Sequence, residues 1–245
     1  MTNGTPPAQK PDRATLAAFL AIVVFLGVNF VAVRFSNREL QPFWGAALRF
    51  GIASAILFAL LAFRNISLPR GAALVGASLF GILAFAANFG LLYWGLLRVP
   101  AGMASVLFAL IPPITLLFAV LLRLERFHWR GLFGSLVALA GVSAVFSEQL
   151  RLTIPLASLL AVLGAAVCAA LAGIVVKWFP KSHPVSANAV GMALASVLLF
   201  GVSQVAGEAV RLPALAPTRL ALAWLITSSI VAFVLMFWVL SRWPA

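Results

Sequence analysis

Residues 93–101 of this chain, YWGLLRVPA, recur in altered form at residues 237–245, FWVLSRWPA. The two stretches lie 144 residues apart, and their Trp, Arg, Pro and Ala residues and one Leu coincide, while Tyr93 faces Phe237. Shorter matches at the same offset include Leu16 with Leu160 and Val31 with Val175. This self-similarity predicts a chain built from two repeats of one structural unit.

The composition places this repeat in a lipid bilayer. Of the 245 residues, 64% are hydrophobic and 9% are charged. An ordinary soluble domain is about 45–50% apolar and about 25% charged. A water-soluble fold could not bury so much apolar surface, so the sequence predicts an all-α integral membrane protein.

Eight apolar runs are long enough to be membrane spans, since a bilayer core about 30 Å thick needs about 20 helical residues. The first run begins after a polar segment, residues 1–14, and is interpreted as a retained span because it is long for a signal peptide. The predicted spans are 16–34, 42–63, 72–97, 101–123, 131–146, 156–179, 185–205 and 218–240.

The basic residues are distributed as topology signals. There are 17 Lys and Arg residues against 5 Asp and Glu, and most lie singly in short loops, with a cluster at 123–130. The positive-inside rule therefore predicts a cytoplasmic N-terminus, with the 37–41 and 206–215 loops outside. The location we expect is the cell membrane, the inner membrane of a bacterium. No basic face with interleaved aromatics exists, which argues against nucleic acid as a partner.

The repeat predicts how the chain is divided. Residues 15–146 form a first unit of five helices, and residues 156–245 form a second unit with three. An odd number of spans per unit means that the second unit is inverted in the membrane. By this logic the second unit needs about 45 further residues and two more helices beyond Ala245.

The order of several short motifs resembles one known family. The first span contains FLGVNFVAVR at 25–34, and the second carries Arg49. The third ends in NFGLLYWGL at 88–96, the fourth contains Pro112-Pro113, and LER at 124–126 precedes WRG at 129–131. Together these features resemble the EamA-type branch of the drug/metabolite transporter superfamily, over about residues 15 to 245.

That resemblance implies ten helices in two inverted five-helix repeats, a central substrate cavity, and export or exchange of small metabolites such as amino acids or drugs. It marks Glu125 and its neighbours as a family hallmark. The chain departs from the pattern in lacking the ninth and tenth helices.

Arg49 is the one charged residue well inside a predicted span. Intramembrane charge is costly and commonly functional, so Arg49 is a candidate for binding an anion such as a substrate carboxylate, or for a gating ion pair. The alternative is that its long side chain reaches the interface or bonds backbone carbonyls.

Two amide side chains and the single tyrosine lie in apolar spans of the first repeat. Asn29, Asn88 and Tyr93 would contact a polar substrate or serve as hydrogen-bonding links between helices. Their counterparts at the repeat offset are apolar or small, namely Gly173, Ala232 and Phe237, and Arg49 faces Ala193. Because the repeat keeps the scaffold without these groups, the asymmetry favours a functional interpretation.

The remaining candidates are weaker. Pro112 and Pro113 remove backbone donors and predict a kink near the midplane, where transporters place their sites. Gly134 and Ala138 form a small-residue pair suited to close helix packing, and a homodimer contact is one use for it. Aromatic and hydroxyl side chains that would line a cavity are Phe85, Phe89, Trp94, Phe108, Trp224, Phe237 and Ser228.

The sequence lacks the residue patterns that metal-binding proteins and enzymes need. Cys168 is the single cysteine, and no clustered His, Cys and Asp, P-loop or nucleophile motif occurs, so no metal, cofactor or enzymatic activity is predicted. The sequence predicts a secondary transporter that exports a small organic molecule by alternating access. The alternatives are a membrane scaffold or partner subunit and, with less support, an intramembrane transferase.

Overall fold

The computed structural model describes residues 13–124, 129–145, 147 and 153–242. Within these residues all regular structure is helical. The helices are α1 Arg13–Ser36, α2 Pro42–Arg64, α3 Ala72–Gly81, α4 Asn88–Gly95, α5 Ala101–Phe108, α6 Ile111–Leu121, α7 Trp129–Val145, α8 Leu156–Trp178, α9 Pro184–Val205 and α10 Ala216–Arg242, with a π-helical segment, Ile82–Ala87, joining α3 to α4.

All eight predicted spans are helical, and their bounds differ from the prediction by a few residues. Seven described segments are long and apolar enough to cross a membrane, and the fifth span contains a shorter apolar stretch, Gly131–Ala144. Large apolar side chains such as Leu20, Val24 and Phe63 are exposed on the outside of the bundle. The all-α membrane fold is therefore confirmed.

Two spans are interrupted. The third passes through the π-helical segment Ile82–Ala87, a local widening that often accompanies functional sites. The fourth breaks after Phe108 and resumes at Ile111, so that Pro112 and Pro113 lie in the first turn of α6. Proline is tolerated there because the first turn of a helix has no internal acceptors for its N–H groups. The predicted irregularity at the proline pair is confirmed.

Three helix contacts are the most extensive in the bundle. α2 packs against α9, α1 packs against α10, and α8 packs against α3 and α4. α5 and α6 lie against α8, and α7 contacts only α5 and α6 substantially among the described elements. α1 and α8, and likewise α3–α4 and α10, are counterparts at the 144-residue offset, so the second and third contacts join corresponding segments of the predicted repeats.

Glycine permits the closest approach of two helices. A β-carbon on Gly81 would lie 2.4 Å from the Cα atom of Gly191, so the backbones of α3 and α9 touch at this crossing. By contrast, a β-carbon on Gly134 would meet no atom within 4 Å. The small-residue pair predicted from Gly134 and Ala138 therefore has no close helix partner within the described chain, and the homodimer contact stays a prediction.

Candidate functional site

Arg49 lies in the interior of the helix bundle. Its side chain is 0% exposed, although it projects from α2 only two turns below the helix start. The Nε–H group donates a hydrogen bond of 2.7 Å to the Ser229 hydroxyl oxygen on α10. The side chain therefore neither reaches the interface nor bonds a backbone carbonyl, which were the alternatives considered from the sequence.

The terminal nitrogens of this guanidinium have no hydrogen-bond partner. Both Nη1 and Nη2 of Arg49 are buried and unpaired, and so is the hydroxyl group of Tyr93. Tyr93 on α4 lies close enough to the guanidinium to interact with it electrostatically, but the two groups do not meet the geometry of a hydrogen bond. An Arg side chain offers five N–H donors, so most of the donors here remain free to bind an acceptor.

Aromatic rings surround the guanidinium. The Arg49 Cζ atom lies 4.7 Å from the ring centroid of Phe89 and 5.1 Å from that of Phe50. Both distances fall within the range of a cation–π interaction. Phe50 and Phe85 then contact each other at 5.2 Å, and Phe85 contacts Phe233 of α10 at 4.9 Å. The rings form an apolar wall beside the guanidinium, and Phe50 and Phe89 also attract its positive charge weakly.

A second polar pair lies beside this cluster. The Ser228 hydroxyl donates a hydrogen bond of 2.8 Å to the Oδ1 atom of Asn29, and both side chains are buried. Because Ser228 and Ser229 are consecutive on α10, this helix connects the Asn29 pair to the Arg49 site. α1, α2, α4 and α10 thus converge on one polar region.

Asn88 is a further buried polar residue, and it lies at the end of the π-helical segment. Its Nδ2 atom donates a hydrogen bond of 3.1 Å to the carbonyl oxygen of Ala84, while its buried Oδ1 atom has no partner. The widened turn at Ile82–Ala87 displaces the ordinary helical ladder, and the Asn88 side chain bonds one of its carbonyls. Its free oxygen remains a hydrogen-bond acceptor.

The other predicted residues take varied positions. Trp224 is half-buried, stacks on Phe25 at 5.2 Å and leaves its indole N–H unpaired. Phe108 makes an edge contact with Phe30 at 5.1 Å, whereas Pro112 is exposed. Trp94 is also exposed. The prediction for the side chain of Phe237, and the prediction for Glu125, fall outside the described residues.

Sequence reasoning left three contributors to this region off the candidate list: Ser229, Phe50 and Phe233. Ser229 is the last of three consecutive hydroxyl residues at 227–229, and Thr227 among them is exposed. Phe50 and Phe233 belong to α2 and α10, and an apolar span offers no pattern that separates a core phenylalanine from one that faces lipid. Their proximity depends on the helix packing.

A network of carboxylate hydrogen bonds ties two loops together at one end of the bundle. Glu208 accepts from the backbone N–H groups of Phe43 (3.2 Å) and Trp44 (2.7 Å), which are unpaired in the first turn of α2. Glu39 accepts from the backbone N–H groups of Ala214 (2.6 Å) and Leu215 (3.1 Å) just before α10. We call this pair of glutamates the carboxylate clasp.

The environment of Glu39 favours its ionised form. The hydrogen bond from the Ala214 backbone lowers the pKa of Glu39 most, burial opposes this, and the Thr218 side chain and the charge of Arg219 lower it further. The indole Nε1–H of Trp44 also donates a 2.6 Å hydrogen bond to the Arg211 carbonyl. The 37–41 and 206–215 loops are therefore on the same side, as the predicted topology requires.

A cavity of about 410 Å³ opens near this end of the bundle. It is bordered by the end of α1, the end of α4 and the start of α5, and Arg34, Asn37 and Arg38 supply its polar wall. Arg34 bonds the Val99 carbonyl at 3.2 Å, and Asn37 bonds the Tyr93 carbonyl at 2.9 Å. Tyr93 therefore accepts a hydrogen bond from the cavity wall through its backbone carbonyl, while its side chain lies near Arg49.

Comparison with known proteins gives one family match. The profile of the EamA-like transporter family matches residues 13–147, which is more than half of the chain. The chain is also similar to a solved crystal structure with a TM-score of 0.72 and 20% sequence identity, covering 92% of this chain and 79% of that one. At this identity the second comparison shows the fold alone.

Several curated proteins are similar in sequence. The uncharacterized inner membrane transporter YedA of Escherichia coli is 28% identical over 194 residues, 78% of this chain and 62% of that protein. The aromatic amino acid exporter YddG of E. coli is 29% identical over 65% of this chain and 57% of its own. A probable terminal-alkyne amino-acid exporter of Streptantibioticus cattleyicolor is 31% identical over 56% of this chain and 46% of its own. The chain thus matches about three fifths or less of the length of these relatives.

Proposed function

We propose that this chain, which belongs to the EamA-like transporter family, is a secondary transporter that exports a small organic metabolite by alternating access. One observation supports this above the others: Arg49 is fully buried while both of its terminal nitrogens lack a partner. A bound solute that supplies acceptors would satisfy these donors.

The energetic argument is that an unpaired charge is expensive in a buried site. Burial of an ion is tolerated when it is paired and hydrogen-bonded, and here Ser229 supplies the Arg49 guanidinium with one hydrogen bond. A carboxylate matches the planar fork of the guanidinium and accepts two parallel hydrogen bonds. The solute we propose therefore carries a carboxylate that binds Arg49.

The surrounding groups define the rest of the solute. The Tyr93 hydroxyl donates to the same carboxylate, and the free Oδ1 atom of Asn88 accepts from an amino group. The rings of Phe50, Phe85 and Phe89 provide an apolar surface for a side chain. An amino acid combines these three features, and relatives of this chain are named as amino-acid exporters.

Alternating access is supported by the helix contacts. The contact of α1 with α10 and that of α8 with α3–α4 are equivalent in the predicted two-repeat division, and the α2–α9 pair contacts both α10 and α3–α4. In inverted-repeat transporters, one such contact opens while its counterpart closes. We accordingly place the Arg49 site on the path between them, with the N-terminus cytoplasmic.

The coupling we propose is exchange or facilitated diffusion. In residues 13–124, 129–145, 147 and 153–242, the carboxylates are Glu39 and Glu208, and both lie in loops. A proton relay through a membrane span needs an ionisable group inside it. Arg49 is a charged side chain well inside a described span, but a guanidinium keeps its charge at ordinary pH. It therefore cannot release and take up the proton that such a relay needs.

The test is solute counterflow into liposomes that contain the purified protein. Vesicles preloaded with one unlabelled amino acid would be assayed for uptake of the same labelled compound, over a panel of aromatic, aliphatic and acidic amino acids. We expect accumulation of at least one aromatic or aliphatic amino acid above protein-free vesicles. If no member of the panel or of a matched drug-like set is moved, the transporter proposal fails and the scaffold alternative gains support.

A further inference from the structure

The carboxylate clasp joins two segments that are far apart in the sequence. Glu39 follows α1 and Glu208 follows α9, and each binds backbone N–H groups at the start of a helix of the other predicted repeat. The clasp therefore links the first predicted repeat to the second by two reciprocal bridges. Both glutamates are half-buried, so water has access to the bonds.

From this geometry we infer that Glu39 and Glu208 form the gate that closes the bundle at the end bearing the 37–41 and 206–215 loops. The inference rests on the alternating access of the proposed function. It assigns to these two residues the step in which α10 separates from α1 and the 206–215 loop separates from the start of α2.

The chemistry of the bonds suits a contact that must break in every cycle. An ionised carboxylate binds helix N-terminal amides strongly because the amides are otherwise unpaired and the helix dipole favours a negative charge there. When the contact opens, water replaces each partner, so no group is left without a hydrogen bond. Backbone-to-backbone packing such as that of Gly81 with Gly191 has no such substitute.

The opposite end of the bundle closes by different means. There the ring of Phe179, at the end of α8, lies against Gly76 in α3, and a β-carbon on Gly76 would come within 2.4 Å of the Phe179 Cβ atom. This contact is the repeat counterpart of the one between the end of α1 and the start of α10. A polar closure at one end and an apolar closure at the other allow each gate to be weakened alone.

Two alanines report on the two gates. Ala221 in α10 is 8% exposed and Ala77 in α3 is 5% exposed, and they are 144 residues apart, the offset of the repeat. In a Cys168→Ser background, Ala221→Cys reports opening at the clasp and Ala77→Cys reports opening at the opposite end. The readout is the rate of reaction with a charged maleimide in lipid nanodiscs, where the reagent reaches both faces.

The clasp is weakened by the double substitution Glu39→Gln and Glu208→Gln, which keeps the shape of both side chains and removes their charge. We expect the rate at Ala221→Cys to rise about tenfold, the effect of losing roughly one charge-assisted hydrogen bond from the closed state. The rate at Ala77→Cys should stay constant or fall. The matched control is Gln41→Ala in the same loop, whose exposed side chain makes no cap hydrogen bond and should change neither rate.

Two results would overturn the gate. One is an unchanged rate at Ala221→Cys in the double variant. The other is an equal rise at both reporters together with a lower melting temperature, because that pattern indicates general loosening. Glu39→Asp with Glu208→Asp, which keeps both charges, is expected to lie between the wild type and the Gln variant. Since the assay requires no solute, its failure is separate from a failure to observe transport.

Discussion

At the crossing of α3 with α9, Gly81 and Gly191 bring two backbones into contact, and no space remains for a side chain on Gly81. Around Arg49, large side chains pack closely, but the terminal nitrogens of Arg49 and the hydroxyl of Tyr93 remain unpaired. Both regions are buried, yet only the first is complete without a partner. The difference separates residues that hold the bundle together from residues that are available to a solute.

The largest expected effect comes from adding a side chain at the closely packed crossing of α3 with α9. Gly81→Ala would place a methyl group against the Gly191 backbone, and overpacking of this kind costs about 3 kcal/mol. We expect a large fall in melting temperature or loss of folded protein, measured by size-exclusion chromatography after heating. The matched control is Gly173→Ala, a helical glycine whose added Cβ atom meets nothing within 4 Å. Equal stability of the two variants would contradict the packing.

Arg49→Met tests the region around the guanidinium, where we expect transport to fall while stability does not. The variant keeps the length of the side chain but removes a buried, largely unpaired charge, so the melting temperature should stay level or rise. Counterflow should fall by at least thirtyfold, since removing one partner of a buried charge pair costs roughly 2 kcal/mol or more. A strong loss of stability would mean that Arg49 is structural.

Tyr93→Phe removes one polar atom, the hydroxyl oxygen, from the region around Arg49. The Tyr93 hydroxyl has no partner, so its removal should leave the melting temperature unchanged. If the hydroxyl binds the solute, the apparent affinity should fall about fivefold, as expected for a hydrogen bond worth about 1 kcal/mol. Ser203→Ala removes another buried, unpaired hydroxyl on α9 and should leave affinity unaltered. The same change in both variants would exclude a specific role for Tyr93.

The smallest effect concerns pH at the clasp. The pKa of Glu39 is lowered when its hydrogen bonds to Ala214 and Leu215 are made, so its contribution to closure is present at neutral pH and is lost as the pH falls through the lowered value. The reaction rate at Ala221→Cys should be flat from pH 8 to 5, after correction for thiol ionisation. It should rise only below about pH 4. A transition near neutral pH would show that Glu39 does not control closure.

The spans were predictable from the sequence because lipid imposes a length and a polarity on every crossing segment. The break before Pro112 was predictable for a local reason, since proline lacks the N–H group that a helix interior needs. The π-helical segment at Ile82–Ala87 could not be predicted in either way, because its residues suit an ordinary α-helix and include no proline. The bounds of such distortions depend on tertiary packing.

The arrangement of the candidate residues could be predicted from the sequence only in part, and their role in binding stays a prediction. Arg49, Asn29, Asn88 and Tyr93 attracted attention because polar groups in apolar spans are costly, and the structure brings Arg49 close to Tyr93. Ser229 joins Arg49 across 180 residues of chain. A single sequence carries no information on a pairing at that distance, just as it did not distinguish the close contact of Gly81 from the open position of Gly134.

The most direct test of the account compares two solutes that share an aromatic ring and an amino group. L-Phenylalanine carries a carboxylate, whereas phenethylamine has none. Equilibrium binding of both compounds would be measured on purified wild-type protein and on Arg49→Met. The account predicts that the wild type binds phenylalanine at least thirtyfold more tightly, equivalent to roughly 2 kcal/mol, and that Arg49→Met binds both compounds equally weakly. If Arg49→Met keeps the wild-type affinity for phenylalanine, or the wild type binds both compounds alike, the buried guanidinium does not recognise a carboxylate.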